Sequence, residues 1–143
     1  MMQLSVEALL GAWSLAEWHV ETARTGRLAW PFGRDAEELL VYSPGWKSAT
    51  LSQRTRSALS AASVRQADEA SRARLVTEYL AYGGRWSIAG NTVIHEVTLS
   101  LNPTLLGTRQ VREVSFVGAE LVLCATESDG AHERTHRLRW CRP

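Results

Sequence analysis

The sequence predicts a mainly β domain, an antiparallel sandwich or barrel with one helix, and three observations predict it. Apolar residues recur with period two over most of the chain. The segments that carry this period are short and are split by Gly- and Pro-containing turns. A single stretch near the middle switches to helical spacing. At 143 residues and 45% hydrophobic, the chain is expected to form one domain over residues 1–143 with a core of its own.

The elements follow in order. Residues 11–22 (GAWSLAEWHVET) alternate imperfectly and put Trp13, Leu15, Glu17 and His19 on one side of a first strand. Residues 39–42 and 46–53 flank the turn Ser43-Pro44-Gly45. Residues 85–89 and 92–101 flank Ala89-Gly90-Asn91, a hairpin signal. Residues 108–116 and 120–126 are joined through Val117-Gly118-Ala119, and residues 136–140 form the last strand after Ser128-Asp129-Gly130. The exception to the period begins at Ser63-Val64-Arg65-Gln66, which has the S-x-x-Q form of a capping box that satisfies free N–H groups at a helix start. Leu75, Val76, Tyr79 and Leu80 then fall at helical spacing and Gly83-Gly84 supplies a stop. A helix is therefore expected over about residues 64–82, with Arg65/Glu69 and Arg74/Glu78 as outer i,i+4 pairs and its apolar stripe on the sheet or across an open end.

Composition excludes several functions. A net charge of +1 with scattered arginines provides no basic stripe for nucleic acid and no polybasic patch for a membrane. The N-terminal residues lack a basic region, a long apolar core and a cleavage site, and no stretch approaches the roughly 18–20 apolar residues of a spanning helix. Cys124 and Cys141 suggest neither a disulfide framework nor a zinc knuckle, so a cytoplasmic protein with free thiols is expected. His132-Glu133-Arg134-Thr135-His136 spells H-E-x-x-H, but that chemistry needs a helix, and here the motif follows an Asp-Gly turn and runs into strand parity with no third ligand downstream. No metal and no cofactor are expected. Lys47, the only lysine, stands beside a turn, where solvation is expected to keep it from Schiff-base chemistry.

Gly11-Ala12-Trp13 has the G-x-W form of lipocalin first strands. Trp30-Pro31-Phe32-Gly33-Arg34-Asp35-Ala36, Leu40-Val41-Tyr42-Ser43-Pro44 and Tyr79-Leu80-Ala81-Tyr82-Gly83-Gly84 follow in order. Val93-Ile94-His95, Asn102-Pro103, Gly107-Thr108-Arg109-Gln110-Val111-Arg112 and Leu138-Arg139-Trp140 complete the set. With these the chain resembles the bacterial and fungal lipocalin-like domain family over nearly its whole length. The resemblance implies a lipocalin-like antiparallel β-barrel of about 8–10 strands, with a helix packed at one end and a cavity for an apolar small molecule. Family members include enzymes that tailor polyketide-like or terpenoid-like compounds, so the fold alone carries no single activity. The chain departs from the family at Ser43-Pro44-Gly45, where a longer Thr-Pro-Asp-Gly turn is usual, and at Trp46-Lys47, where Tyr-Met is frequent. The pocket wall beside that turn is expected to differ.

On barrel geometry the row Val93, His95, Val97 faces inward. His95 is then either a core histidine bonded to a neighbouring strand or a group that works on the ligand. Glu17 and His19 share the parity of Trp13 and face inward unless a bulge turns them out and leaves Trp18 and Val20 inside. Gln110 and Arg112 share a face with Val114, and Arg112 either holds a ligand oxyanion or stacks on Trp13 or Trp140 at the barrel floor. Tyr42, Trp46, Tyr79 and Tyr82 are wall or lid candidates. The leading expectation is a cofactor-independent enzyme that binds a hydrophobic natural-product intermediate and catalyses cyclisation, isomerisation or dehydration. His95, Glu17 and Arg112 are its catalytic candidates, and His19, Tyr42, Trp46, Tyr79, Tyr82, Val97, Gln110 and Trp13 its ligand-binding candidates. The alternative is a non-catalytic carrier of a small hydrophobic molecule, and a third reading is a solid, purely structural barrel. A homodimer is left open.

Overall fold

Alternation and turn chemistry carry most of the chain into strands. The computed structural model describes residues 3–143. Its elements are helix α1 (Val6–Leu9) and strands β1 (Gly11–Thr22), β2 (Arg27–Ala29), β3 (Glu37–Ser43) and β4 (Trp46–Ser52), then helix α2 (Glu69–Thr77). Strands β5 (Tyr79–Ala89), β6 (Thr92–Ser100), β7 (Arg109–Val117), β8 (Glu120–Ser128) and β9 (Glu133–Cys141) follow. From β3 to β9 each strand pairs antiparallel with the next, and β1 closes the ring by pairing with both β3 and β9. Eight strands thus form a closed antiparallel barrel, and the short β2 adds a ninth by pairing with Val20–Thr22. The tight hairpin between β5 and β6 turns at Gly90, whose φ of 60° lies in the left-handed region that favours glycine.

β1 serves two neighbours because it changes parity partway. Residues Gly11–Ser14 pair with Tyr42–Leu39, and Ser14–Thr22 pair with Cys141–Arg134, with a bulge between Leu15 and Glu17. The extra residue turns the following side chains over. Trp13 is buried ahead of the bulge, and Trp18 and Val20 face inward after it.

The helix is shorter than its sequence period suggests. One turn of 3-10 helix covers Val64–Gln66, and α2 begins only at Glu69, where Asp68 accepts from the Ser71 N–H at 2.7 Å. Ser63 makes no side-chain cap bond. Tyr79–Tyr82 leave the helix and pair with Ser52–Ala49, so ladder bonds to β4 and β6 override the local apolar spacing. No residue of α2 is buried.

The core fills one half of the barrel. Leu9, Trp13, Leu40, Tyr42, Trp86 and Leu121 are among its buried members. Leu9 from α1 sits under the floor, and its carbonyl accepts from Trp13 Nε1 at 2.9 Å. Arg142 stacks on Trp13 with its guanidinium carbon 3.6 Å from the ring centroid and donates to the Ala12 carbonyl. The arginine that covers the floor is therefore Arg142, and Arg112 is released for the interior.

Candidate functional site

Above that floor the barrel is hollow. A cavity of about 270 Å³ opens toward the end where Trp18, Leu105, Thr126, Glu127 and His136 form the rim. Its walls are chemically unequal. Leu123, Ala125, Leu138 and Trp140 on β8 and β9 give an almost wholly apolar side. Five consecutive strands give the polar side: Glu38 from β3, Lys47 from β4, Tyr82 from β5, His95 from β6, and Gln110 with Arg112 from β7. Strand parity puts them there. Glu38 alternates with Leu40 and Tyr42, and Lys47 with Ala49 and Leu51, all directed to the interior.

His95 is 2% exposed and both ring nitrogens are engaged. Nε2 lies 2.7 Å from the Tyr42 hydroxyl and Nδ1 lies 2.9 Å from the Tyr82 hydroxyl. Burial first, and then the neighbouring Lys47 and Arg112 cations, hold the imidazole well below its ordinary value, so it is neutral with one N–H. Counting bonds assigns that proton. The Tyr42 hydroxyl is fully buried away from the cavity lining, and an unused O–H there would carry an uncompensated desolvation penalty. Tyr42 therefore donates to Nε2, and the Nδ1–H donates to the Tyr82 oxygen. The Tyr82 O–H is left free at the cavity wall. Burial pushes the Tyr82 hydroxyl up to about 12, which keeps it a donor.

The second polar group is a pair that lacks bonded partners. Lys47 is 4% exposed, its Nζ lies 3.6 Å from the Tyr82 ring centroid, and no hydrogen-bond acceptor meets it. Glu38 Oε2 and Trp140 Nε1 are likewise buried without a fully formed hydrogen bond, although the indole N–H is near enough to favour the carboxylate. Burial raises the Glu38 carboxyl to about 7 against the pull of Lys47. Burial lowers the Lys47 amine to about 7 against the pull of Glu38. Both groups are thus pushed toward their neutral forms by burial, and each charge opposes that shift in the other. Arg112 is held by the Gln110 side chain at 3.3 Å and the Val111 carbonyl at 3.1 Å, and Gln110 in turn donates to Thr108 at 2.8 Å.

Of the residues expected from sequence, His95, Tyr82, Gln110 and Arg112 line the cavity. Tyr42 stands behind His95, Val97 is buried outside the lining, and Trp13 belongs to the floor. Glu17 and His19 do not face inward. The β1 bulge turns them to the outer surface, where Glu17 accepts from Trp30 Nε1 at 3.0 Å and lies 3.5 Å from Arg139. The Trp30 hydrogen bond, then the His19 and Arg139 charges, hold its carboxyl below the usual carboxylate value despite partial burial. Trp46 is half exposed beneath Arg85, and Tyr79 points out beside Arg56, so neither reaches the interior. Lys47, expected in solvent, is inside, and Glu38, absent from the expected set, joins it in the lining. Their parity with Ala49 and Leu40 was the available signal. Glu133–Cys141 form a strand, with His136 between Trp18 and Glu127, so the H-E-x-x-H residues do not converge. Among the described residues no group of three or more His, Cys, Asp or Glu is placed to hold a metal ion.

The profile of a lipocalin-like domain family matches residues 10–143. The chain belongs to the lipocalin-like domain family. Neither the curated proteins nor the solved structures compared with it include a match. A lipocalin-like barrel suits a small hydrophobic ligand, and no helix among the described residues is long and apolar enough to cross a membrane.

Proposed function

We propose that the cavity binds a small, largely apolar molecule bearing a carbonyl or related oxygen function and moves a proton on it, without a cofactor, in an isomerisation, cyclisation or dehydration. The observation that carries this reading is the unpartnered Glu38–Lys47 pair in a cavity otherwise lined mainly by apolar side chains. A passive apolar container gains nothing from buried charges without partners, because each carries a desolvation penalty. In this reading the Tyr82 O–H and Lys47 polarise the ligand oxygen, and the Glu38 carboxylate takes a proton from the adjacent carbon and returns it elsewhere. Leu123, Leu138 and Trp140 hold the carbon skeleton in place. His95 acts as a positioning residue, since both of its nitrogens are bonded and it fixes the direction of the Tyr82 hydroxyl.

The test uses 3-cyclohexenone, a small β,γ-unsaturated ketone whose conjugated isomer absorbs strongly. The protein is expected to form the conjugated product, and Glu38→Gln is expected to slow it by about 10²–10⁴-fold. The bonded state of His95 favours the carrier reading as the second possibility. Ketone that alters Trp18 and Trp140 fluorescence yet comes back unisomerised, and undeuterated from heavy water, would decide for the carrier.

A further inference from the structure

We propose that Lys47 forms an imine with an aldehyde or ketone carbon of the ligand held in the cavity, with Glu38 as its proton partner. The proposal rests on the cavity reading above and assigns Lys47 a nucleophilic role in place of a purely polarising one. Its amine is buried among the residues that line the cavity, and it meets neither a donor that would tie up its lone pair nor an acceptor that would anchor its charge. A lysine that serves only the fold would be expected to find a carboxylate or carbonyl within hydrogen-bonding reach. Contact with the Tyr82 ring face at 3.6 Å stabilises the protonated form without consuming a donor, and leaves Nζ able to approach a third group. The Tyr82 O–H, left free by the His95 bonding pattern, is available to a carbonyl oxygen on the same wall.

The chemistry balances with these groups alone. The neutral amine adds to the carbonyl carbon, the C=O π bond breaks, and a proton passes from nitrogen to oxygen to give the carbinolamine. Glu38 in its acid form protonates the hydroxyl, which leaves as water while the nitrogen lone pair closes the C=N bond. A protonated imine remains with the Glu38 carboxylate as its counter-ion, and water reverses the sequence. Displacement of both groups toward neutrality supplies the amine and the acid together at one pH.

Lys47 is the only lysine in the chain, so ε-amine chemistry reads a single position. The probe is octanal at neutral pH with sodium cyanoborohydride, which reduces an imine to a stable secondary amine. Octanol, of the same chain length without the carbonyl, reads cavity occupancy through tryptophan fluorescence. The expected result is a mass increase of one octyl group mapped to Lys47, slowed by excess octanol and absent from Lys47→Met. Labelling in the native protein should run on the order of a hundredfold faster than after urea unfolding, where the amine returns to the ordinary lysine range near 10.4. That ratio needs no variant to fold. If octanol changes the fluorescence but Lys47 stays unmodified, or labels no faster than in urea, the imine is overturned and the cavity reading stands. If neither probe changes the fluorescence and Lys47 stays unmodified, both fall.

Discussion

His95 is buried with both ring nitrogens engaged, Nε2 by the Tyr42 hydroxyl and Nδ1 by the Tyr82 hydroxyl, as its inward place on the row Val93, His95, Val97 requires of a polar ring. Glu38 and Lys47 lead to a prediction about stability. The folded carboxyl is raised from 4.5 to about 7, so between those values the native state holds a proton that the unfolded chain has released, and stability falls as pH rises. The folded amine is lowered from 10.5 to about 7, so above 7 the unfolded chain holds the extra proton and stability climbs again. Unfolding free energies from urea titrations are therefore expected to show a trough near pH 7, on the order of 1–3 kcal/mol deep, with the midpoints following it. The Glu38→Gln/Lys47→Met double variant should lose the trough. A midpoint that is flat from pH 5 to 9 in the parent protein would refute the burial of the pair. Strand parity with Ala49 and Leu51 points Lys47 inward, against the usual solvation of lysines beside turns.

Elements were legible where one period dominated. β1 was bounded correctly, and the hairpins β3–β4, β5–β6 and β7–β8 fall on the Gly- and Pro-containing turns that announced them. Sidedness inside β1 was not legible, because a single bulged residue inverts every position after it without a mark in composition. β2, with three residues all exposed, left no pattern to read. At the α2–β5 junction the spacing of Leu75, Val76, Tyr79 and Leu80 fits a helix, yet the last two lie in a strand. Gly83-Gly84, read as a helix stop, instead mark the point where β5 presses closest on its neighbours. The pairing register shifts there, and a Cβ on Gly84 would overlap the Glu96 carbonyl oxygen. Gly84 also pairs with Lys47, so the close approach sets the wall that carries the amine. Gly84→Ala is expected to destabilise by more than about 2 kcal/mol in urea unfolding. A change below about 0.5 kcal/mol would show that the strand relaxes freely.

At the scale of the molecule, the barrel separates structure from chemistry along its axis. One half is solid, sealed by Leu9, Trp13 and the Arg142 stack, and the other half is hollow with a polar wall from β3 to β7. Closure of the ring by β1 brings Trp18 to the cavity rim, and the return of β9 to β1 brings Leu138 and Trp140 to the apolar side. Closure was legible from the family resemblance and not from periodicity, which fits a sandwich equally well. The proposed chemistry requires a lysine amine held out of water in that half of the barrel. Its most direct test is an NMR titration of the ε-methylene of Lys47, a single resonance because the chain has one lysine. A midpoint near 7 that shifts when octanol is added is the predicted result. A midpoint above about 10, unmoved by octanol, would place the amine in solvent and contradict the account.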